Sequence, residues 1–186
     1  GQAFKGTGEI FVPSGAGAPE GSGEISATDG NTIIDPQLTV DGGVPATLIG
    51  KVGNNRQYIV GNTLTNHGRI IATVSDINYI SPPYALNLLG TSITNDGTLG
   101  LNLNTQLTAH GNVTFLAGGT LLADAGGEFD VSGNLDLTTA DDLLEVMPQA
   151  GGAAYDRALL FAYTSSLSSV FDSVTPVITV DYSIPG

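Results

Sequence analysis

The stretch "ITNDGTLGLNLN", Ile93 to Asn104, sets a polar-Gly turn directly before a run of strict alternation. Leu99, Leu101 and Leu103 fall on one side of an extended chain and Gly100, Asn102 and Asn104 on the other, the period-two signature of a half-buried strand. Tight turns favour Asp-Gly because Gly takes positive φ at no cost, and Asn, Asp and His tolerate it better than most residues.

The same unit recurs on both sides. "SATDGNTI" (Ser26 to Ile33), "LTVDGG" (Leu38 to Gly43), "LTNHGRI" (Leu64 to Ile70) and "LTAHGNV" (Leu107 to Val113) repeat it, with weaker copies in "LAGGTLL" (Leu116 to Leu122), "DAGGEFDV" (Asp124 to Val131) and "VSGNLDL" (Val131 to Leu137). Asp29, Asp41, His67, Asp96 and His110 are accordingly read as turn formers. Abundant Gly, Thr, Asn, Leu and Val, with neither Cys nor Trp, favours short strands and many turns, so the chain is all-β.

Two architectures accommodate such units. In a parallel β-solenoid each coil stacks on the last, apolar side chains fill the interior, and Asn or Thr at equivalent turns ladder from coil to coil. Gly42, Gly68 and Gly97 are spaced by 26 and 29 residues, about one coil of a large solenoid. An antiparallel β-sandwich or jelly roll competes, because Asp-Gly turns are also hairpin turns and closely spaced short strands are its mark. The solenoid is the preferred reading.

The N-terminal region stands apart. Ile10 and Val12 alternate with Glu9 and Phe11 in a short strand, and "PSGAGAPEGSGE" (Pro13 to Glu24) then offers no apolar side chain larger than Ala to a core. Residues 1–24 are therefore a strand arm on a Gly/Ala/Pro/Ser linker, and residues 25–186 a single β-repeat domain. A tethered strand folds back on its own domain or completes the sheet of a neighbouring subunit, with Ala3, Phe4, Ile10, Phe11 and Val12 at the junction.

The formal charge is −13, and the bases Lys5, Lys51, Arg56, Arg69 and Arg157 are scattered, which speaks against nucleic acid. No apolar run approaches the ~18 residues of a membrane-spanning helix, so membrane insertion is not expected. The chain opens at Gly1, consistent with removal of a signal peptide and a place outside the cell or on its surface.

The units "LTNHGRI", "ITNDGTL" and "GNLDLTTADDLLEV", followed by "YDRALLFAYTSSLSSVFDSVT" and "ITVDYS", resemble the passenger repeats of bacterial autotransporters and of exported proteins with autotransporter-associated β-strand repeats. The likeness runs from about Thr63 to Ser183. It implies a bacterial surface protein with a right-handed β-helix whose last strands, about 138–186, cap the open end of the core. The outer-membrane barrel of such proteins has no counterpart here.

Few residues offer chemistry. His67 and His110 share the turn position held by Asp96 in a neighbouring copy, which favours backbone geometry over catalysis, and no catalytic residue is assigned. Asp136, Asp141, Asp142 and Glu145 form the densest acidic patch; a structural Ca²⁺ is the one cofactor they leave open, against a solvated edge as the plainer reading. "DINYISPPYALNLLG" (Asp76 to Gly90) interrupts the repeat and is expected to project as a contact loop carrying Tyr79 and Tyr84.

The expected function is structural: an exported, self-associating subunit of a filament, surface layer or adhesin, joined through its N-terminal strand. A carbohydrate-binding adhesive module, which would make glycans the partner, is the alternative. A polysaccharide-degrading β-helix enzyme comes third.

Overall fold

The computed structural model describes residues 2–4, 8–12, 24–26, 31–34, 38–42, 44–45, 58–60, 63–72, 84–102, 105–124, 126–147 and 161–175. Within them the strands are β1 (Gln2–Phe4), β2 (Gly8–Val12), β3 (Glu24–Ser26), β4 (Asn31–Ile34), β5 (Leu38–Gly42), β6 (Val44–Pro45), β7 (Tyr58–Val60), β8 (Thr63–Asn66), β9 (Arg69–Ala72) and β10 (Tyr84–Asn95). They continue as β11 (Thr98–Leu101), β12 (Thr105–Phe115), β13 (Thr120–Asp124), β14 (Glu128–Val131), β15 (Leu135–Asp136), β16 (Leu143–Met147), β17 (Phe161–Tyr163), β18 (Leu167–Ser168) and β19 (Ser173–Thr175).

These strands build two sheets, of 12 and 7 strands, and the pairing is parallel except where β6 meets β10. The smaller sheet runs β2-β5-β9-β11-β13-β16-β19. Its register aligns Thr39, Arg69, Thr98, Thr120, Leu143 and Ser173 in one row across six strands. Parallel neighbours cannot be joined by a hairpin, since the chain must travel back before it can pair again. The antiparallel sandwich is thereby corrected.

The polar-Gly units are corners rather than hairpins. The chain leaves β8 in the larger sheet, turns through His67 and Gly68, and enters β9 in the smaller one; Asp96 and Gly97 take it from β10 to β11 in the same way. A second corner bends the long strands themselves, for the β10–β12 register shifts between Leu89 and Ser92. The larger sheet therefore presents two runs of strands and the smaller sheet a third.

Glycine at these corners answers a different need from the one the sequence suggests. Gly97 and Gly111 do not take positive φ; a Cβ on Gly111 would sit 1.9 Å from the Gly90 carbonyl oxygen, and one on Gly97 would sit 2.2 Å from that of Gly68. Successive corners lie backbone on backbone, and only hydrogen fits between them. Gly118, at φ 85°, is the described glycine that does use the left-handed region.

Two turn assignments are corrected by the same geometry. Asp41 lies within β5 opposite Ile71, and Gly42 faces Ala72, so the spacing of 26 from Gly42 to Gly68 compares unlike positions. The spacing of 29 from Gly68 to Gly97 does relate equivalent corners, since Asn66 pairs with Asn95 and Arg69 with Thr98. His110 is also a strand residue, opposite Leu89 within β10 and β12. Asp29 lies outside the described residues.

Alternation supplies the core. In β12 the burial alternates along Thr105 to Ala109 and resumes at Val113 and Phe115 beyond the bend. Register then stacks apolar residues in columns: Leu64, Ile93, Val113, Leu135 and Leu167; Ile70, Leu99, Leu121, Leu144 and Val174; Leu86, Leu107, Phe129 and Phe161. Most of these side chains are fully buried, each contributing about 1.5–3 kcal/mol of transfer free energy. Near the last strands Phe171 sets its ring edge-on to Phe115 at 5.4 Å and to Phe161 at 6.0 Å, closing the column with aromatic contacts.

The strands of residues 138–175 carry on this parallel pairing, β16 on β13 and β17 to β19 on β14 to β16. At the other end β1 and β2 pair in parallel with β4 and β5 of the same chain. Of the linker read as Pro13 to Glu24, Glu24 is corrected to the first residue of β3, and residues 13–23 lie outside the described residues.

Candidate functional site

The side chains with the most chemistry sit at the corners, and their partners are on the neighbouring strand level. Asn66 and Asn95 end equivalent strands and are fully buried. Asn66 Nδ2 donates to Asn95 Oδ1 at 2.7 Å and to the Thr98 carbonyl at 3.0 Å, while its own Oδ1 accepts from the Gly68 amide at 3.2 Å. Asn95 Nδ2 donates in turn to the Gly97 carbonyl at 3.1 Å. The two amides thus satisfy the backbone groups that each corner strips from the sheet ladder, at a place water does not reach.

One residue further on, the exposed side of the same corner pairs His67 with Asp96, Nδ1 to Oδ1 at 2.7 Å. Beside it Thr94 Oγ1 donates to Thr65 Oγ1 at 3.2 Å. His110, by contrast, has its Nε2 at 2.8 Å from Asn87 Oδ1 on the adjacent strand, and burial lowers its pKa from the ordinary imidazole value. The two histidines are therefore in different settings and do not converge.

The acidic patch divides. Asp136 closes a local turn by accepting from the Thr138 amide at 3.0 Å, and Glu145 is exposed on β16. Asp141 takes φ 69° at the corner, where its amide donates to Asp172 Oδ2 at 2.6 Å. Asp142 occupies the place of Gly97 and Gly119 in the corner column: its carbonyl accepts from Ser173 as theirs accept from Thr120 and Leu143. Its side chain is fully buried, with Oδ1 accepting from the Asp172 amide at 2.7 Å and Oδ2 without a partner. Burial drives its pKa up, the Asp172 amide opposes that, and the Asp172 charge reinforces it.

Glu128 and Asp130 are neighbours on one face of β14, and Asp130 accepts from Gln106 Nε2 on β12. Burial raises the Glu128 pKa, with further upward contributions from the Asp130 charge and a hydrogen bond to it. Among the described residues no group of three or more His, Asp or Glu is placed to hold a metal ion, so the Ca²⁺ candidates are not gathered into a cage.

The expected contact loop is corrected in its second half. Tyr84 opens β10, between Thr105 on one side and Pro45 on the other, and residues 84–90 are strand throughout. Tyr79 lies outside the described residues. Ala3, Phe4, Ile10, Phe11 and Val12 are all strand residues of β1 and β2, in register with Ile33, Ile34, Val40, Asp41 and Gly42 of their own chain.

The chain matches no family model, no curated protein and no solved structure. What the geometry offers is a set of polar side chains bonded from level to level. The ladder was legible in the two T-N-x-G units; the Asp142–Asp172 pair was not, because nothing in "ADDLL" or "FDSV" marks them as equivalent corners.

Proposed function

We propose that this chain is an exported structural protein, a right-handed β-solenoid capped at its C-terminal end, that serves as a rigid subunit of an extracellular filament, surface layer or adhesin. One observation carries the reading: polar side chains bond one strand level to the next. His67 is held by Asp96, His110 by Asn87, Asn66 by Asn95, and Asp142 by Asp172. Such bonds tie one level to the next and stiffen the stack.

The parallel register supports the same reading, because a stack that closes its hydrogen bonds level by level has an obvious axis of growth. Partnership is then with further copies of the chain, through the N-terminal strands. Electron microscopy of the purified protein tests it: ordered fibres or sheets are expected. A protein that stays monodisperse at every concentration and salt level, yet cleaves or binds a polysaccharide, would replace this reading.

A further inference from the structure

Asp142 stands where the neighbouring levels use glycine. Thr98, Thr120, Leu143 and Ser173 each send a backbone N–H to the corner residue one level below, which is Gly68, Gly97, Gly119 and Asp142 in turn. Close packing explains the glycines: a Cβ on Gly97 would lie 2.2 Å from the Gly68 carbonyl oxygen, and one on Gly119 would lie 2.4 Å from that of Asn95. At the next place in this column the chain puts a carboxyl instead, and it is 0% exposed.

That carboxyl is interlocked with the level above it. Asp142 Oδ1 accepts from the Asp172 amide at 2.7 Å, and Asp172 Oδ2 accepts from the Asp141 amide at 2.6 Å. Ser173 adds its own amide to the Asp142 carbonyl at 3.2 Å. Two carboxyl groups thus tie one corner to the next. Directly before Asp172, Phe171 sets its ring edge-on to Phe115 and Phe161, so the same bonds seat that ring in the core.

The charges here all have one sign. Among the described residues the titratable groups beside Asp142 are Asp141 on its own corner and Asp172 on the corner above; Glu145, farther along β16, is exposed, and the corner below, Leu116 to Gly119, has none. The stretches that meet at this place, 116–120, 138–147 and 169–175, contain no base. Ionised Asp142 is therefore a buried charge faced by a second carboxylate, and both burial and the Asp172 charge favour its neutral form.

We infer that the Asp142–Asp172 interlock is a pH-operated latch: protonated Asp142 holds the segment from Phe171 to Ser173 against the corner below, and ionisation of Asp142 releases that segment with its phenyl ring. The latch stands whether or not the chain assembles. Opening breaks the bonds of one corner and leaves the rest of the stack paired, so it is a local event rather than unfolding. In the open form the carboxylate reaches water and its pKa returns to the ordinary value. Open and closed forms then differ by one bound proton between the two pKa values, and across that range the opening equilibrium rises by up to tenfold per pH unit. Below the ordinary pKa both forms hold the proton, and the latch stays shut.

Amide hydrogen exchange followed by nuclear magnetic resonance reads the opening at Asp172 and Ser173, once the intrinsic base catalysis of exchange is divided out. Measurements run from about pH 4, the ordinary Asp value, to neutrality. The Thr98 and Thr120 amides, bonded to Gly68 and Gly97 in the same column, are the reference, and their protection also shows that each variant is folded. Asp142→Asn keeps the shape and the acceptor oxygen without the charge. Asp142→Gly restores the residue of the lower levels.

In the parent, opening at Asp172 and Ser173 should rise by up to tenfold per pH unit while Thr98 and Thr120 stay level, and the Phe171 ring should lose its contacts with Phe115 over the same range. Both Asp142 variants should abolish the slope, and Asp172→Asn should narrow the range. A flat parent, a slope that survives in Asp142→Asn, or the same slope at Thr98 and Thr120 overturns the latch. Ring contacts of Phe171 that outlast the opened amides overturn it as well.

Discussion

Replacing Gly111 by alanine puts the corner geometry to a quantitative test. The new Cβ would lie 1.9 Å from the Gly90 carbonyl oxygen and 3.1 Å from its carbon. Both are backbone atoms of a paired strand, so no rotamer change relieves the clash and the levels must part locally. Overpacking of this sort costs about 1–3 kcal/mol, and a rigid obstacle belongs at the top of that range or above it. Alanine also restricts the unfolded chain, which returns about 0.4–1 kcal/mol. A net loss of about 2–3 kcal/mol remains, or roughly 4–12 °C in Tm for a chain of this size.

Gly100→Ala is the control. Its Cβ would meet the tip of the Ile71 side chain at 2.4 Å, an atom that a rotamer change can move. It should cost less than half as much. Urea unfolding of the two variants and the parent, followed by circular dichroism, measures both. If Gly111→Ala lies within 0.5 kcal/mol of the parent, a threshold below the usual mutational effect, or if Gly100→Ala is the worse of the two, the close approach of stacked corners is not what holds glycine there.

Two other perturbations address the polar corners. Asn66→Ala strips Asn95 Oδ1 of its donor and leaves the Thr98 carbonyl and the Gly68 amide each short of a partner, so a loss of about 1–3 kcal/mol is expected in urea unfolding; Asn66→Leu with Asn95→Leu should not recover it, because those backbone groups stay without the partners that Asn66 supplied. Asp142 gives a pH signature. Its folded pKa is raised, so the folded state holds a proton that the unfolded state has released, and stability falls as pH rises from the normal carboxylate pKa through the raised one. Thermal melts across that window should slope downward in the parent and less so in Asp142→Asn; equal slopes would contradict the burial of an ionisable carboxyl there.

Sequence carried the class of this fold because alternation is local. "LGLNLN" and "LTAH" state which side of a strand is apolar without reference to anything distant, and the structure buries Leu99, Leu101, Leu107 and Ala109 accordingly. The parallel stacking was half legible, through the two T-N-x-G units whose asparagines bond 29 residues apart. Later levels are harder to see, because the second long strand, β12, pairs with its predecessor β10 at a shorter interval, Leu86 facing Leu107, and the unit "LTAHG" looks like the earlier corners. There the His-Gly step is a bend within one strand. Glycine is ambiguous for a physical reason: it serves positive φ at Gly118 and close backbone approach at Gly111, and a sequence writes both with the same letter. The Asp142–Asp172 contact stayed hidden because corner equivalence depends on register, which the variable segments between levels obscure.

The central claim, that this chain stacks its strands in parallel, level on level, is tested most directly by nuclear magnetic resonance of the labelled protein in solution. The register puts Arg69 beside Thr98, Thr98 beside Thr120, Thr120 beside Leu143 and Leu143 beside Ser173, on strands about 4.8 Å apart. Cross-strand contacts along that row, with the slanted, evenly spaced hydrogen bonds of parallel pairing, are the predicted result. Contacts that pair β8 with β9, or β10 with β11, as antiparallel hairpins across the His67–Gly68 and Asp96–Gly97 turns would contradict it.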